Sequence, residues 1–272
     1  MNTPAFGLVI VGDEILSGKR LDKHLQKVIE LLGARGLALA WARYVGDDRP
    51  RLTAALREAF GSGDIVFCCG GIGATPDDHT RQCAAAALQR PLTLHAQARQ
   101  LIEERMQDMA RAQGLPFEPE RPDNLQRLQM GVFPQGAEVI PNPYNKIPGF
   151  SVGDVHFMPG FPVMAHPMIE GLLDGRYAHL HGSGALIERS VLVFDAMEAA
   201  LTPLMEEIEV AYPGVKVFSL PSVDHPIHGR HIELGVKGRG IAVDEAYAQL
   251  QAQLHRLGAK SCPVMVREPG LS

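Results

Sequence analysis

The chain has 272 residues, of which 46% are hydrophobic and 21% charged, and 26 basic against 31 acidic side chains give a formal net charge of −5. A chain of this length buries a large core without disulfide or metal staples, and it is long enough for one large domain or two smaller ones. The acidic balance argues against bulk nucleic-acid binding, which needs a basic face to neutralise phosphates. We therefore expect any phosphate ligand to be held locally, by backbone amides or by a metal ion.

The cysteines and the apolar runs indicate the compartment. The chain has four cysteines: Cys68, Cys69, Cys83 and Cys262. They form neither a disulfide framework nor a C-x-x-C metal motif, which favours a reducing compartment. The apolar stretch from Phe6 to Val11 is too short for a signal peptide, and no run reaches the roughly 20 apolar residues that span a bilayer. These features predict a soluble cytoplasmic protein.

Strand and helix patterns alternate through the first half of the chain. The predicted elements are strand Gly7–Val11, helix Lys19–Leu32, strand Leu37–Val45, a helix from Asp48 to Phe60, strand Asp64–Cys69, a helix from Thr75 to Leu88, helix Leu94–Gln113, a short helix near Asn124–Met130, the hairpin Gly149–Val152 with Val155–Met158, and a helix ending at Leu173. This alternation is typical of an α/β fold with a parallel sheet.

Beyond Gly182 the pattern changes. The predicted elements there are strand Leu186–Phe194, helix Ala196–Tyr212, strands Val215–Leu220 and Arg230–Val236, and helix Val243–Leu257. We expect two domains, a larger one at residues 1–178 and a smaller α+β domain at residues 183–262.

The most informative stretch is the glycine-rich turn GGIGATPDDHT at residues 70–80, directly after a buried strand and before a helix. Exposed N–H groups and a helix N-terminus favour an anion at such a turn. The turn fits neither the dinucleotide fingerprint nor a Walker A loop, and the stretch from Gly12 to Arg20 also fails the Walker A pattern. Tight packing of strand against helix is the alternative role of such a turn.

Acidic pairs follow the first three predicted strands. They are Asp13-Glu14, Asp47-Asp48 and Asp77-Asp78. Because the carboxyl ends of parallel strands converge on the ligand crevice of an open sheet, these pairs can meet in one site. So many carboxylates beside a phosphate loop require a divalent cation, Mg²⁺ or Mn²⁺. Any single pair can instead be a helix cap, and so can Thr75 and Thr80.

Several other residues carry weaker patterns. Three histidines recur at intervals of three: His225, His228 and His231. They lie in a segment broken by proline and glycine, so we expect loop histidines rather than a zinc site. We interpret Cys68 and Cys69 as buried packing residues because no paired base is evident, and Trp41 as a packing residue.

Six motifs together resemble a known family. They are GDEILSGKRLD at 12–22, VGDD at 45–48, the turn at 70–80, NP at 142–143, PGF at 148–150 and MPGFP at 158–162. They resemble the molybdopterin-binding MoaB/MogA-like domain, in the version found at the N-terminus of CinA proteins and in eukaryotic FAD synthases. The resemblance covers residues 5–175, and residues 183–262 are similar to the small KH-like domain that follows in CinA proteins. The amidase domain of full-length CinA has no counterpart here, so we expect no deamidase activity.

The resemblance implies a three-layer α/β/α sandwich that binds pterin phosphates or nucleotides with a pyrophosphate linkage. It implies metal-dependent hydrolysis of ADP-ribose or a similar dinucleotide, with Mg²⁺, Mn²⁺ or Co²⁺, and a homo-oligomer, expected to be a dimer. Asp47 and Asp78 match catalytic positions of the family. The expected metal ligands are Asp13, Glu14, Asp47, Asp48 and Asp78. The expected ligand-binding residues are Gly12, Gly70, Gly71, Gly73, Thr75, Asp77, Thr80, Lys146, Pro159 and Gly160.

Two stretches differ from the usual family pattern. His24 stands where asparagine is usual, and Asn145-Lys146-Ile147-Pro148-Gly149 stands where G-T-A-P-G is usual. Lys146 can supply a phosphate contact or be solvated. Three functions remain open at this point: a nucleotide pyrophosphatase, a module that binds molybdopterin or a nucleotide without turnover, and an adenylyltransferase of molybdenum cofactor synthesis.

Overall fold

The computed structural model describes residues 4–182 and 187–263. The chain folds into two compact units, one of Met1–Leu32 with Ala38–His181 and one of Gly33–Leu37 with Gly182–Ser272. The predicted start of a strand at Leu186, and residues 183–186 of the predicted second domain, lie outside the described residues.

The first unit is built on a six-stranded mixed sheet. Its elements are β1 Phe6–Val11, α1 Asp13–Leu16, α2 His24–Gly33, β2 Leu39–Val45, α3 Arg49–Ser62, β3 Ile65–Cys69, α4 Thr80–Leu88, β4 Leu92–Leu94, α5 Ala96–Ala112, α6 Pro122–Leu128, β5 Val132–Pro134, β6 Glu138–Ile140, β7 Gly149–Val152, β8 Val155–Met158 and α7 Pro162–Asp174. The strand order is β2-β1-β3-β8-β7-β6. Strands β1, β2 and β3 are parallel, as predicted, and β8 pairs with β3 in the same direction. Strands β7 and β6 continue the sheet with antiparallel pairings, so that β7 and β8 form the predicted hairpin.

Both faces of this sheet are buried, which makes the α/β fold layered as predicted. One face packs Val9 and Val66 against α3 and α4. The alternate residues Leu8 and Phe67 are also buried, and they point to the opposite face. The connection from β1 to β2 runs one way along the sheet and that from β2 to β3 runs back. Right-handed crossovers therefore put α2 and α3 on opposite faces.

Two predicted helix starts are wrong, and side-chain capping explains one of them. The helix predicted from Lys19 begins at His24, because the Asp22 carboxylate accepts the N–H groups of His24 (2.7 Å) and Leu25 (3.0 Å) and so caps α2 there. The helix predicted from Thr75 begins at Thr80. By contrast, α3 begins as predicted, with the Asp48 carboxylate accepting the N–H of the third residue of the helix and proline in its first turn.

The second unit is an antiparallel sheet covered by helices. Its elements are β9 Ile187–Phe194, α8 Glu198–Ala211, β10 Lys216–His225, β11 Gly229–Gly238, α9 Ala242–Arg256 and β12 Lys260–Pro263. The strand order is β10-β11-β9-β12. Leu204 of α8 and Leu250 of α9 pack on strand residues such as Val193 and Leu234 in one core. The first five elements follow the predicted order, and β12 is an addition to it.

Residues that the sequence assigned to packing do pack. Cys68 and Cys69 are fully buried in β3, and all four cysteines are free. The indole of Trp41 lies on Gly7, where a Cβ would overlap it, and its Nε1–H donates to Asp64 at 2.8 Å. Within the described ranges, no helix combines the length and hydropathy needed to cross a bilayer.

Candidate functional site

Three glycine-containing loops converge at the carboxyl ends of β1, β3 and β8. Gly12 follows β1, Gly70 follows β3, and Gly160 lies two residues after β8. A Cβ on Gly70 would overlap the carbonyl oxygen of Val11, and a Cβ on Gly160 would lie 3.3 Å from the α-carbon of Gly70. The chain reverses direction across the sheet between β1 and β3, and ligands of open α/β sheets bind at such a switch point.

The loop after β3 is held in place through its carbonyl groups. Gly70 and Gly71 have φ angles of 113° and 67°, in the region that favours glycine. The hydroxyl of Thr80 donates to Gly70 O at 2.9 Å, the N–H of Thr80 donates to Gly71 O at 3.0 Å, and the Arg81 guanidinium donates to Gly73 O.

The N–H groups of the same loop remain available. Gly70 donates to Met158 O at 3.0 Å, but the N–H groups of Gly71, Ile72 and Gly73 have no protein acceptor among the described residues. A loop whose carbonyl groups are bonded to the protein and whose N–H groups are free is suited to bind an anion. We call Gly70–Gly73 the amide loop.

The turn after the amide loop explains why α4 starts late. The N–H of Asp78 donates to Thr75 O at 3.0 Å, and the Asp78 carboxylate accepts the N–H of Thr75 at 3.0 Å and its hydroxyl at 2.5 Å. A Cβ on Gly73 would overlap the same carboxylate. Asp78 and Thr75 therefore close a turn of their own. The proline and the acidic residues that suggested a first helical turn belong to this turn.

The acidic pairs after β1 and β2 do meet. The N–H of Asp13 donates to Asp47 Oδ2 at 3.0 Å, and the N–H of Asp47 donates to Asp13 Oδ1 at 3.1 Å. The two carboxylates thus hold each other's backbone, and each keeps a second oxygen. Both line a surface cleft that Glu14, Lys19 and Asp77 also line.

The cleft is unusually rich in negative charge. Burial raises the pKa of Asp47, and the neighbouring carboxylates of Asp13, Glu14 and Asp77 raise it further, against the lowering effect of the hydrogen bond from Asp13. Several carboxylates that disfavour one another's ionised form provide hard oxygen donors for a cation.

The predicted five-residue metal set does not assemble. No group of three or more His, Cys, Asp or Glu side chains that could hold a metal ion exists in the described ranges. Asp48 is used as the cap of α3, and Asp78 is turned toward Thr75. The acid that joins Asp13 and Asp47 in the cleft is Asp77, not Asp78.

Two other predicted ligand-binding residues already bond to groups of the protein. Thr80 is fully buried and shapes the amide loop from behind. Lys146 pairs with Asp108 at 2.8 Å and Glu104 at 3.6 Å, both on α5, so its charge is already neutralised. Neither partner of Lys146 was recognisable from the sequence, because α5 lies more than thirty residues away along the chain.

A second cavity, of about 290 Å³, adjoins the amide loop and was missed by sequence reasoning. The last residues of β1 and β3 line it, together with Gly160 and Phe161 before α7 and Pro162 at its start, and Arg20 and Lys23 contribute basic groups. Glu14 lines both this cavity and the acidic cleft, which places the two side by side.

His24 is the buried polar group of this cavity. Its Nε2 lies 3.1 Å from Gly160 O, a carbonyl that can only accept, so Nε2 carries the proton. Its Nδ1 has no partner among the described residues. Burial lowers the pKa of His24, so that the ring is neutral near pH 7 with Nδ1 as an acceptor. The edge of the His166 ring meets it at a centroid distance of 5.3 Å.

The histidines of the second unit also come together, at the turn between β10 and β11. The ring centroids of His225, His228 and His231 lie 5.0 to 5.9 Å apart. His231 Nδ1 bonds Gly229 O at 2.9 Å, and His225 Nδ1 accepts the N–H of His228 at 3.1 Å. The prediction of loop histidines holds for His228 alone, because His225 is the last residue of β10 and His231 lies in β11.

Comparisons with known proteins give the family. Residues 7–179 match the family described as "Probable molybdopterin binding domain". A CinA-like protein of an Anaeromyxobacter species is 30% identical over 92% of this chain and 62% of its own length. A CinA-like protein of Syntrophotalea carbinolica is 29% identical over 75% of this chain and 50% of its own. The chain therefore spans between half and two thirds of the length of these curated relatives.

Among solved structures, the crystal structure of the protein CinA from Thermoplasma acidophilum, described as of unknown function, superposes with a TM-score of 0.52. It is 25% identical and covers 62% of this chain and 97% of its own. The family match runs through the whole mixed sheet, the amide loop and the acidic cleft. The chain belongs to the family described as a probable molybdopterin-binding domain, and it is similar to CinA-like proteins.

Proposed function

We propose that the first unit is a divalent-metal-dependent nucleotide pyrophosphatase that hydrolyses ADP-ribose or a similar dinucleotide in the cytoplasm. The observation that carries the proposal is the position of two features at one sheet edge. These are an amide loop with free N–H groups and an acidic cleft built on the reciprocal pair Asp13 and Asp47.

The donor set of the cleft fits a cation of the Mg²⁺ type. Such an ion keeps several waters and needs only one or two carboxylates together with the phosphates of the substrate. Asp13 and Asp47 would hold it through the oxygens that they do not use on each other's backbone. When bound, the ion would neutralise charge between the carboxylates and the phosphoanhydride. Asp48 and Asp78 are not needed as ligands.

The residues of the chain then have separate tasks. The N–H groups of Gly71, Ile72 and Gly73 bind non-bridging phosphate oxygens, and Thr80 keeps these groups pointing outward. The cavity beside Glu14, whose wall includes His24, receives the organic group attached to the phosphate. In hydrolysis the oxygen of water bonds to one phosphorus, the P–O bond to the bridging oxygen breaks, and the leaving phosphate takes a proton.

The test is the release of AMP. The purified full chain is incubated with ADP-ribose and Mg²⁺, Mn²⁺ or Co²⁺, and the products are separated by anion exchange. We expect AMP with the wild type and a loss of at least about 100-fold in rate for Asp47→Asn, as is typical when a group that stabilises charge in the transition state is removed. The control is Asp195→Asn, which removes an exposed carboxylate from the second unit. Equal rates for wild type and Asp47→Asn, or no AMP with any metal, would exclude the pyrophosphatase.

The family description favours a second function, the binding of molybdopterin or a nucleotide without turnover. Ligand binding by the wild type without AMP formation would support it. Adenylyl transfer to a pterin, the third possibility, would produce an adenylylated pterin from ATP. Homodimerisation remains part of the proposal and is measured by sedimentation.

A further inference from the structure

Arg81 is a buried arginine directly behind the amide loop. It is the second residue of α4 and is only 4% exposed. Its guanidinium donates to Gly73 O, and its Nε has no partner in the described part of the chain. A desolvated charge is costly unless it is paired with an opposite charge.

The described residues do not supply that opposite charge in an ion pair. No carboxylate of theirs lies within 4.0 Å of the Arg81 nitrogens, the reach of an ion pair. The acid that acts on it through space is Asp78, and this carboxylate already accepts both the N–H and the hydroxyl of Thr75. The amide loop therefore has a full positive charge at one of its carbonyl groups, and its N–H groups have no acceptor among the described residues.

The hydrogen bond to Gly73 O links these two features. A cation at a carbonyl oxygen polarises the peptide group and makes its N–H a stronger donor. The peptide concerned joins Gly73 to Ala74, and no described protein acceptor takes the N–H of Ala74. The charge of Arg81 therefore makes the Ala74 N–H a stronger donor for a bound anion.

We infer that Arg81 is the positioning residue and counter-charge of the amide loop, and that the loop binds a multiply charged phosphate group, such as a pyrophosphate, even without metal. This inference rests on the anion-binding part of the proposed function and adds a residue to it. It has a consequence for stability. Without ligand, the buried charge of Arg81 lowers the free energy of unfolding, and a bound pyrophosphate offsets this loss. A purely structural arginine would instead stabilise the apo protein.

The experiment measures thermal unfolding of the full chain with and without inorganic pyrophosphate, in a buffer free of divalent metal and of other multivalent anions. For Arg81→Met we expect an unfolding midpoint without pyrophosphate equal to or above that of the wild type, because a buried charge is replaced by an apolar chain. We expect pyrophosphate to bind at least about tenfold more weakly to this variant, because the variant lacks the positive charge behind the amide loop. Arg99→Met, which removes an exposed arginine paired with Glu103 on α5, is the matched control.

The possible outcomes are distinct. An unchanged pyrophosphate affinity in Arg81→Met, or a large drop in its apo midpoint, would overturn the role of Arg81. If Arg81→Met does not fold, Arg81→Gln carries the same test, since it keeps an amide donor for Gly73 O and removes the charge. A wild type that does not respond to pyrophosphate would instead refute the proposed anion site itself, whereas the AMP assay tests turnover separately.

Discussion

The histidine buried at the β7–β8 hairpin gives a prediction whose size follows from the structure. His156 is fully buried between Ser151, whose Oγ lies 2.7 Å from its Nδ1, and Tyr177, whose hydroxyl lies 2.5 Å from its Nε2. Tyr177 in turn donates to Asp154 at 2.7 Å. Burial, aided by the charge of Arg176, lowers the pKa of His156 from 6.5 to about 3.

The direction of the pH effect follows from this depressed value. Below pH 6.5 the unfolded chain binds a proton at His156, whereas the folded chain does not until about pH 3. Stability is therefore complete above pH 6.5 and falls as the pH is lowered through this window. At pH 5 the loss from this one group is about 2 kcal/mol, since each pH unit below the unfolded pKa contributes about 1.36 kcal/mol.

The assay is urea unfolding of wild type and His156→Gln between pH 7 and pH 5, followed by the fluorescence of Trp41, the single tryptophan. Because Trp41 packs in the first unit, it reports the unfolding of that unit. At pH 7 the variant should be less stable, because it leaves polar partners of the ring unsatisfied. By pH 5 its deficit should shrink by about 2 kcal/mol, since only the wild type has this titration. His179→Gln, an exposed histidine of the same unit, should keep a constant difference. Parallel curves for wild type and His156→Gln would refute the reasoning.

Three further substitutions test the loop and the cap, one of them as a control. Gly71→Ala should lower stability by about 1–3 kcal/mol and abolish pyrophosphate binding, because its φ is 67° and its Cβ would overlap the Thr80 hydroxyl. The control is Gly61→Ala in α3, where a Cβ meets nothing within 4 Å. This substitution should stabilise the helix by up to about 1 kcal/mol in the same urea titration. Equal changes in stability for Gly71→Ala and Gly61→Ala would contradict the loop geometry. Asp48→Ala should lower the free energy of unfolding by about 0.5–2 kcal/mol, because the helix loses its cap, and it should leave metal-dependent activity intact. A loss of activity as large as that of Asp47→Asn would show that Asp48 is a metal ligand.

The sequence predicted those parts of the site that depend on sheet topology. Short apolar runs gave β1, β2 and β3, and parallel strands put their ends together, so the meeting of Asp13 and Asp47 could be foreseen. The glycine turn was also evident, because it follows a buried strand and precedes a helix.

What the sequence did not reveal depends on where individual side chains turn. A threonine, a proline and two acids meet every rule for a helix start, yet the Asp78 carboxylate folds back on Thr75 and the helix begins at Thr80. That choice decides which acid of the pair faces the cleft. The strands β4, β5 and β6 are three residues long, too short for any period to register.

Long-range polar partners were equally hidden from sequence reasoning. The partner of His24 Nε2 is a carbonyl 136 residues further along the chain, and the partners of Lys146 lie on α5. Pairings of this kind arise only when the chain has folded, so the cavity beside the amide loop could not be derived from spacing.

In the proposed function, the amide loop and the Asp13–Asp47 pair serve one ligand. A crystal structure of the full chain with Mg²⁺ and a methylene-bridged, non-hydrolysable analogue of ADP-ribose tests it most directly. We expect phosphate oxygens within hydrogen-bond distance of the Gly71 and Gly73 N–H groups, and the ion between the same phosphate and the two aspartates. An analogue bound with its phosphates elsewhere, and the amide loop left without an anion, would contradict it.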